Sequence, residues 1–364
     1  MDNLTHTLFA LTLARTPLGR ARGTTVALVL ASNAPDIDIV TTLGGAAEYL
    51  KWHRGPTHGP LGVIGLGLVT AGIVWAGRRF RSQRSEGRGE RSEGRGQMAE
   101  GGGLRAERGA FAPLFVASLA GVFAHILMDL PTSYGTRMLS PFSWRWFALD
   151  LMPIIDVYLW IILTAGLLLG ARSQDLRKKM TATALLLMAG NYGIRAVSHQ
   201  QALATAAERH GPALPAPCEP AAAFGSLLDS WPQSGAARAG ARCLVDTAAI
   251  PSFASPFEWR VIAQLPDGYL EIDGSDAVWI PNQWTPLVER AATTRTAQVL
   301  LGFSRFPAAR VLVEPPGTAA VQFSDLRFST GPDNPQLRAR RSTLFTATVR
   351  FGPHNEIVEE KLGQ

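Results

Sequence analysis

Seven histidine and aspartate side chains stand at the ends of apolar segments in the first half of this 364-residue chain. They are His6, Asp36, Asp38, His53, His58, His125 and Asp129. Imidazole and carboxylate groups together form the ligand set of zinc, manganese and iron sites. Ionisable groups at the edge of a membrane are costly unless they are paired, hydrated or bound to metal, so these residues indicate a functional site.

The local spacings of these residues suit metal binding. His125 and Asp129 are four residues apart, which places both side chains on one face of a helix. Asp36 and Asp38 follow Pro35, which ends a helical pattern, and an extended backbone through Ile37 would point both carboxylates the same way. His58 closes a Gly/Pro turn directly before an apolar segment. The sequence therefore predicts a metal site built at helix ends.

Long apolar segments must position these residues. A helix that crosses a bilayer needs about 20 apolar residues. Four segments meet this need: 59–77, 111–128, 153–171 and 180–198. Two shorter segments, 4–14 and 24–35, form either a thin pair of spans or a hairpin that enters and leaves on one side. Both alternatives put residues 1 and 36 on the same face, and we predict an α-helical polytopic membrane domain over residues 1–198.

Arg and Lys are distributed very unevenly between the two faces. Loops 15–23, 78–110 and 172–179 on one face contain 16 of them, whereas loops 36–58 and 129–152 on the other contain 4. Cytoplasmic loops carry the excess of positive charge. The face with the candidate ligands is therefore predicted to be extracytoplasmic, in a multi-pass membrane protein.

The same distribution explains the net charge of +6 as membrane topology, so no nucleic-acid partner is predicted. The N-terminus has no conventional signal peptide, and the first apolar segments are expected to act as uncleaved insertion signals. The cytoplasmic loop 78–110 contains the tandem RSEGRGE and RSEGRGQ and is predicted to be disordered.

The remainder of the chain has a different character. Residues 199–255 are rich in Ala and Pro and are predicted to be a connector. Residues 256–364 alternate apolar and polar positions between turn signals, which predicts an antiparallel β-rich domain, expected outside the cytoplasmic membrane. Cys218 and Cys243 are either unrelated thiols or, in an exported domain, a disulfide. Three further histidines are expected at the surface: His199, His210 and His354.

Each candidate receives an expected role. One or two divalent ions, zinc or alternatively manganese, would be bound by His6, Asp36, His58, His125 and Asp129. Asp38 or His53 would be the general base. Asp156 is expected to orient a ligand histidine, and Arg54 to support the site or pair with an anionic substrate group.

Several longer motifs carry a resemblance to a known family. They are MDNLTHTLFA (1–10), NAPDID (33–38), HRGPTHG (53–59), HILMDLPTSYGT (125–136), PFSWRWFALD (141–150), IIDVYLW (154–160), SPFEWRV (255–261) and FSRFP (303–307). The chain resembles the bacterial inner-membrane metal-dependent hydrolases of the DUF457 type, whose members are described as LexA-regulated. The resemblance implies a polytopic membrane protein and metal-dependent hydrolysis, but it supplies no substrate. Gly59 stands where the family commonly has serine.

The leading hypothesis is a membrane-bound hydrolase that cleaves an ester or phosphodiester in a lipid or lipid-linked substrate through a metal-activated water. The aromatic stretch 143–147 would serve as an interfacial anchor or a substrate groove. One alternative is a non-catalytic membrane protein with a structural or transport metal site. Another is an envelope stress or assembly factor. A transporter would place ionisable residues near mid-membrane, so their position at one face favours the enzyme. The oligomeric state stays open.

Overall fold

The computed structural model describes residues 1–89, 103–211, 214–218, 243–274, 276–282, 284–314, 317–329 and 345–363. The first part is helical. Its helices are α1 (Asn3–Leu13), α2 (Thr24–Asn33), α3 (Ala46–Trp52), α4 (Pro60–Gly89), α5 (Gly103–Asp129), α6 (Val157–Leu169) and α7 (Gln174–His210), with 3-10 segments at Pro17–Gly19 and Ala34–Gly44. Side-chain caps begin three of these α-helices: Asp2 accepts a hydrogen bond from Thr5 N, Asp156 accepts one from Leu159 N, and Ser173 accepts one from Leu176 N.

Three stretches of helix among the described residues are long and apolar enough to cross a membrane: Thr24–Gly44, Pro60–Arg81 and Phe111–Asp129. The first corrects the sequence prediction, in which the segment 24–35 was short. Pro35 ends the α-helical bonding pattern but is tolerated near the start of the 3-10 turns that follow, so the helical path continues to Gly44.

The expectation of four long spans is also corrected. The predicted segment 153–171 contains only the 13-residue helix α6, which begins after the capping Asp156. The predicted segment 180–198 lies inside α7, a helix of 37 residues that continues through the start of the expected connector to His210.

Helix extends into both ends of loop 78–110, for which the sequence predicted disorder. Helix α4 continues to Gly89 and helix α5 begins at Gly103. Arg, Glu and Gln are good helix formers, and extending an existing helix does not repeat the cost of nucleation. Residues 90–102, including the second repeat, lie outside the described residues.

Two antiparallel sheets form the C-terminal part, as the alternating pattern predicted. Four consecutive strands form the first sheet: β1 (Asp246–Pro251), β2 (Trp259–Leu265), β3 (Gly268–Asp273) and β4 (Asp276–Pro281). The second sheet contains β5 (Pro307–Glu314), β6 (Thr318–Asp325), β7 (Thr346–Phe351) and β8 (Ile357–Leu362). Helices α8 (Pro286–Ala292) and α9 (Arg295–Phe303) connect the sheets. Strand β1 lies within the stretch expected to be connector, where it pairs along β2 from Asp246↔Gln264 to Pro251↔Trp259.

The second sheet and the helical part share one hydrophobic core. Leu50, Tyr134 and Trp146 from the helical part are buried in the same cluster as Phe303 of α9 and Phe351 of β7. The Trp146 indole donates a hydrogen bond to the carbonyl of Gly302 at 3.1 Å. The β-rich part is therefore packed directly on the segment that follows α5.

Two expectations about single residues are resolved here. Cys218 and Cys243 form a disulfide with their Cα atoms 4.8 Å apart. His199 is not a surface residue, because its side chain is buried with its ring 5.3 Å from that of Trp259. The extension of α7 beyond residue 198 brings His199 under the first sheet, whereas His354 is exposed as expected.

Candidate metal centre

Four of the five predicted ligands meet at one place. Asp36 lies at the start of the 3-10 segment, His58 lies two residues before α4, and His125 and Asp129 occupy the last turns of α5. Helices α2, α4 and α5 pack side by side through Ala27, Ala71 and Leu114, among others, which brings these ends together. One ligand atom from each of the four residues lies within 4.8 Å of all the others.

The four side chains direct nitrogen and oxygen atoms at a common point. The Nε2 atoms of His58 and His125 are 3.2 Å apart. Asp129 Oδ2 lies 3.4 Å from each of these nitrogens. Asp36 Oδ1 lies 3.5 Å from His125 Nε2 and 3.9 Å from His58 Nε2.

Neighbouring groups assign the protons of the two imidazoles. His125 Nδ1 lies 2.8 Å from the carbonyl oxygen of Ser32, which can only accept, so Nδ1 carries the proton. His58 Nδ1 faces Thr57 Oγ1 at 3.0 Å and Asp38 Oδ2 at 3.8 Å, which assigns its proton to the same ring position. Burial lowers the pKa of His58 to about 4, so its ring is neutral near pH 7. Two imidazole nitrogens and two carboxylates therefore converge, and this donor set fits a divalent cation.

The two carboxylate oxygens of the fully buried Asp129 have different surroundings. Its Oδ1 pairs with Arg54 Nη2 at 3.1 Å and contacts the amino group of Met1. Its Oδ2 has no hydrogen-bond partner among the described residues. The guanidinium of Arg54 also donates to the carbonyl of Gly135 at 2.8 Å and lies 4.7 Å from the centre of the Tyr134 ring. Asp129 is thus held from one side and presents a free oxygen on the other.

His6 lies beside the four-residue group. Its ring stacks on that of His125 with centroids 3.8 Å apart, and its Nε2 is 3.5 Å from Asp129 Oδ1. Both of its ring nitrogens are buried and have no hydrogen-bond partner within the described part of the chain. His6 is therefore placed where it could act as a fifth ligand of a metal ion bound by the group.

The two candidate bases form a pair with each other. His53 Nδ1 and Asp38 Oδ1 are 3.0 Å apart, while Asp38 Oδ2 accepts from the backbone N of Arg54 at 2.7 Å. His53 Nε2 faces the hydroxyl of Tyr49 at 3.2 Å. Burial, with a further contribution from Asp38, raises the pKa of Tyr49 to about 12, so this hydroxyl keeps its proton. Asp38 lies between His53, which contacts its Oδ1, and the candidate ligand His58, whose Nδ1 is 3.8 Å from its Oδ2.

The expected role of Asp156 as a partner of a ligand histidine is not what the structure shows. Asp156 caps α6 through Leu159 N, pairs with Arg195 at 2.8 Å and accepts from Asn191 at 3.4 Å. None of its polar contacts among the described residues is with a candidate ligand. Asp156 instead links the start of α6 to Arg195 of α7.

The group opens toward solvent on the side of Asp36. The Asp36 side chain is 19% exposed, whereas those of His58, His125 and Asp129 are not exposed at all. Apolar side chains that follow Asp36 are exposed: Ile37, Ile39, Val40 and Leu43. The approach to the group therefore lies beside an apolar surface.

The aromatic stretch 143–147 is divided between surface and core. Trp144 is 43% exposed and packs edge-on against Trp52, whereas Trp146 is buried. Arg137 lies over both indoles, 5.3 Å from Trp144 and 4.3 Å from Trp146. Only the Trp144 side of this stretch is available to a membrane or a substrate.

Tyr49 and the Ser32 carbonyl are among the contributors to the site that sequence reasoning missed. Tyr49 stands four residues before His53 on α3 and is visible as an i, i+4 pair. The Ser32 carbonyl, which sets the tautomer of His125, is a backbone group and leaves no signal in residue type.

Apolar helices with a buried histidine–aspartate group at their ends define a membrane protein with a candidate metal centre. The chain belongs to the YdjM inner membrane protein family, whose model matches residues 1–202. This confirms the family that the motifs indicated. Every candidate ligand lies within the matched residues, and both sheets lie beyond them.

The chain is also similar to the uncharacterized protein YfhP of Bacillus subtilis (strain 168), with 28% identity over 141 residues. The match covers 39% of this chain and 35% of YfhP, so the chain spans about a third of its relative's length. No solved structure matches the chain.

Proposed function

We propose that this chain is a metal-dependent hydrolase of the bacterial cytoplasmic membrane that cleaves an ester or phosphodiester in a lipid or lipid-linked substrate. The observation that carries the proposal is the convergence of two imidazole nitrogens and two carboxylate oxygens within 4.8 Å in a largely buried site. Asp129 Oδ2 is buried without a hydrogen-bond partner among the described residues, which is costly unless a cation pairs with it.

The donor set of two nitrogens and two oxygens suits zinc, with manganese as the alternative. Asp36, His58, His125 and Asp129 would hold the ion, with His6 as a further donor. A bound divalent ion would polarise the scissile group and lower the pKa of a water. Arg54 holds Asp129 in place through its 3.1 Å contact, and the Ser32 carbonyl holds the ring of His125.

His53 is a better candidate than Asp38 for the general base. Both oxygens of Asp38 are engaged, one by His53 Nδ1 and the other by the backbone N of Arg54. Asp38 therefore orients His53 and directs its Nε2 toward Tyr49. A histidine that is oriented by a carboxylate can take a proton at its other ring nitrogen, which in His53 is the Nε2 that faces Tyr49.

The surroundings of the site favour a lipid substrate at the extracytoplasmic face. Exposed aliphatic side chains, among them Ile37 and Leu43, flank the opening at Asp36. The Arg and Lys distribution supports placing this face outside the cytoplasm. The Cys218–Cys243 disulfide supports the same sidedness for the β-rich part, because such bonds persist in oxidising compartments.

A structural metal site is the competing function. Four protein ligands complete a tetrahedral shell, which is typical of structural zinc, whereas catalytic zinc keeps a position open. The partial exposure of Asp36 favours the catalytic alternative, because a ligand at the opening is the one that a substrate displaces most readily.

Metal analysis of the purified full-length chain in detergent tests the site first. We expect the wild type to retain one or two divalent ions and His125→Ala and Asp36→Ala to lose them. His199→Ala, which removes a buried histidine outside the group, is the matched control and should retain the metal. Metal content that is unchanged in His125→Ala would refute the site.

Activity separates the enzyme from the structural alternative. Wild type and His53→Gln are compared on lipid esters and phosphodiesters in mixed micelles, after both are shown to carry metal. We expect hydrolysis by the wild type and its loss in His53→Gln. A metal-loaded wild type that cleaves none of these substrates would favour the structural site.

A further inference from the structure

The hairpin loop between β1 and β2 exposes two phenylalanines. Residues 252–258 read SFASPFE, and the side chains of Phe253 and Phe257 are 65% and 71% exposed. The loop is closed at its base, where Ser252 N donates to the carbonyl of Glu258 at 3.0 Å. Two exposed aromatic side chains on one short, closed hairpin form an apolar tip, which we call the Phe tip.

Hydrogen bonds fix the Phe tip against the helical part. The hydroxyl of Tyr158 in the first turn of α6 donates to the carbonyl of Ala254 at 3.1 Å. Arg195 of α7 donates to the carbonyl of Ser252 at 3.3 Å. The Trp259 indole donates to Ser198 Oγ at 2.7 Å. The Phe tip therefore lies beside the N-terminal end of α6 and near Ser198 of α7.

The exposed apolar surfaces of α6 and α7 both end next to the Phe tip. Ile161 of α6 is 66% exposed, and on α7 Leu186, Ile194 and Val197 are 73%, 49% and 60% exposed. In a protein of a membrane family, exposed aliphatic helix surfaces face lipid. Val197 directly precedes Ser198, so the lipid-facing surface of α7 stops where the hairpin is bonded to it.

We propose that the Phe tip inserts Phe253 and Phe257 into the interfacial region of the bilayer and thereby seats the first sheet on the membrane surface. The continuity between the lipid-facing helices and the Phe tip carries this assignment. Glu258 is the only ionisable residue of the loop and lies at its base, where headgroups and water remain available. The inference is independent of the metal and of hydrolysis, and the hairpin lies beyond the matched residues 1–202.

Site-specific fluorescence in liposomes tests the proposal. The full-length variants Phe253→Cys and Phe257→Cys are labelled with the environment-sensitive dye NBD and reconstituted in phosphatidylethanolamine/phosphatidylglycerol vesicles. The native cysteines do not compete, because they are joined in a disulfide. Asp267→Cys is the matched control, since Asp267 is exposed on the β2–β3 turn at the far end of β2, about 20 Å from the hairpin.

We expect blue-shifted NBD emission at positions 253 and 257 and strong quenching by nitroxide-labelled phospholipid, with neither effect at position 267. All three positions are exposed, so the substitutions leave the fold intact, and circular dichroism checks this. Equal emission and equal quenching at the three positions would overturn the proposal. Blue-shifted emission at 253 and 257 without lipid quenching would also overturn it, because a protein surface such as a second copy would then cover the Phe tip.

Discussion

Arg327 is the main polar link between the second sheet and the segment that supports the metal centre. Its side chain is 3% exposed and pairs with the fully buried Asp325 at 2.6 Å. It also donates to the carbonyls of Ser133 at 2.8 Å and Phe303 at 3.0 Å. We predict that Arg327→Met is strongly destabilising, because it leaves the Asp325 carboxylate buried without its counterion.

The size of the effect follows from these contacts. Removing one partner of a buried ion pair costs about 3–5 kcal/mol. Each kcal/mol shifts the midpoint by about 2–4 °C in a chain of roughly 150–250 residues and by less in a longer one, so the unfolding midpoint should fall by about 5–10 °C. The assay is thermal unfolding in detergent followed by circular dichroism. Arg327→Met with Asp325→Asn should recover part of the loss, because the double variant no longer buries an unpaired charge.

A surface ion pair supplies the matched control. Arg350 and Glu359 lie 3.6 Å apart and are both about half exposed, so Arg350→Met should cost less than about 1 kcal/mol. The reasoning fails if Arg327→Met melts as close to wild type as Arg350→Met does. It also fails if the double variant is no more stable than Arg327→Met alone.

Two further predictions concern single side chains near the site and under the first sheet. Asp38→Asn should weaken metal binding by about 10–100-fold in competition with a chelator, because Asp38 orients the surroundings of His58; an unchanged affinity would contradict this. Burial lowers the pKa of His199, so the folded state favours its neutral form. The unfolded state then binds more protons, and unfolding free energy should fall as pH drops below about 6.5. His199→Gln should show a smaller decrease between pH 7 and 5 in the same denaturation assay, and an identical pH profile would exclude this origin.

The sequence predicted the metal centre from the position of its residues along the membrane normal. Apolar segments place their ends at one of two faces, and the i, i+4 spacing of His125 and Asp129 adds a shared helical side. This position does not tell where a residue lies in the plane of the membrane, however. Asp156 stands at the same face as the ligands and yet pairs with Arg195 between α6 and α7. Helix packing decides the lateral position, and helix packing leaves no local pattern in the sequence.

Backbone contacts account for much of what the sequence did not predict. An added Cβ at Gly59 would come within 1.7 Å of the Ser140 carbonyl oxygen, so this position has no room for a side chain. Gly59 directly follows the ligand His58, and its missing side chain lets the segment around residue 140 approach the centre. The sequence shows only that residue 59 lacks a hydroxyl group. The structure shows that close packing at this position requires glycine.

The contacts around Tyr134 show that the two parts of the chain form one supporting structure. Tyr134 covers the guanidinium of Arg54, which holds the candidate ligand Asp129. The other sides of the Tyr134 ring pack on Phe303 and Phe345, which lie beyond the family match. A chain that ended at residue 202 would retain all candidate ligands but would uncover Tyr134, now 5% exposed. The position of Arg54, and through it that of Asp129, therefore depends on packing that the family region alone does not supply.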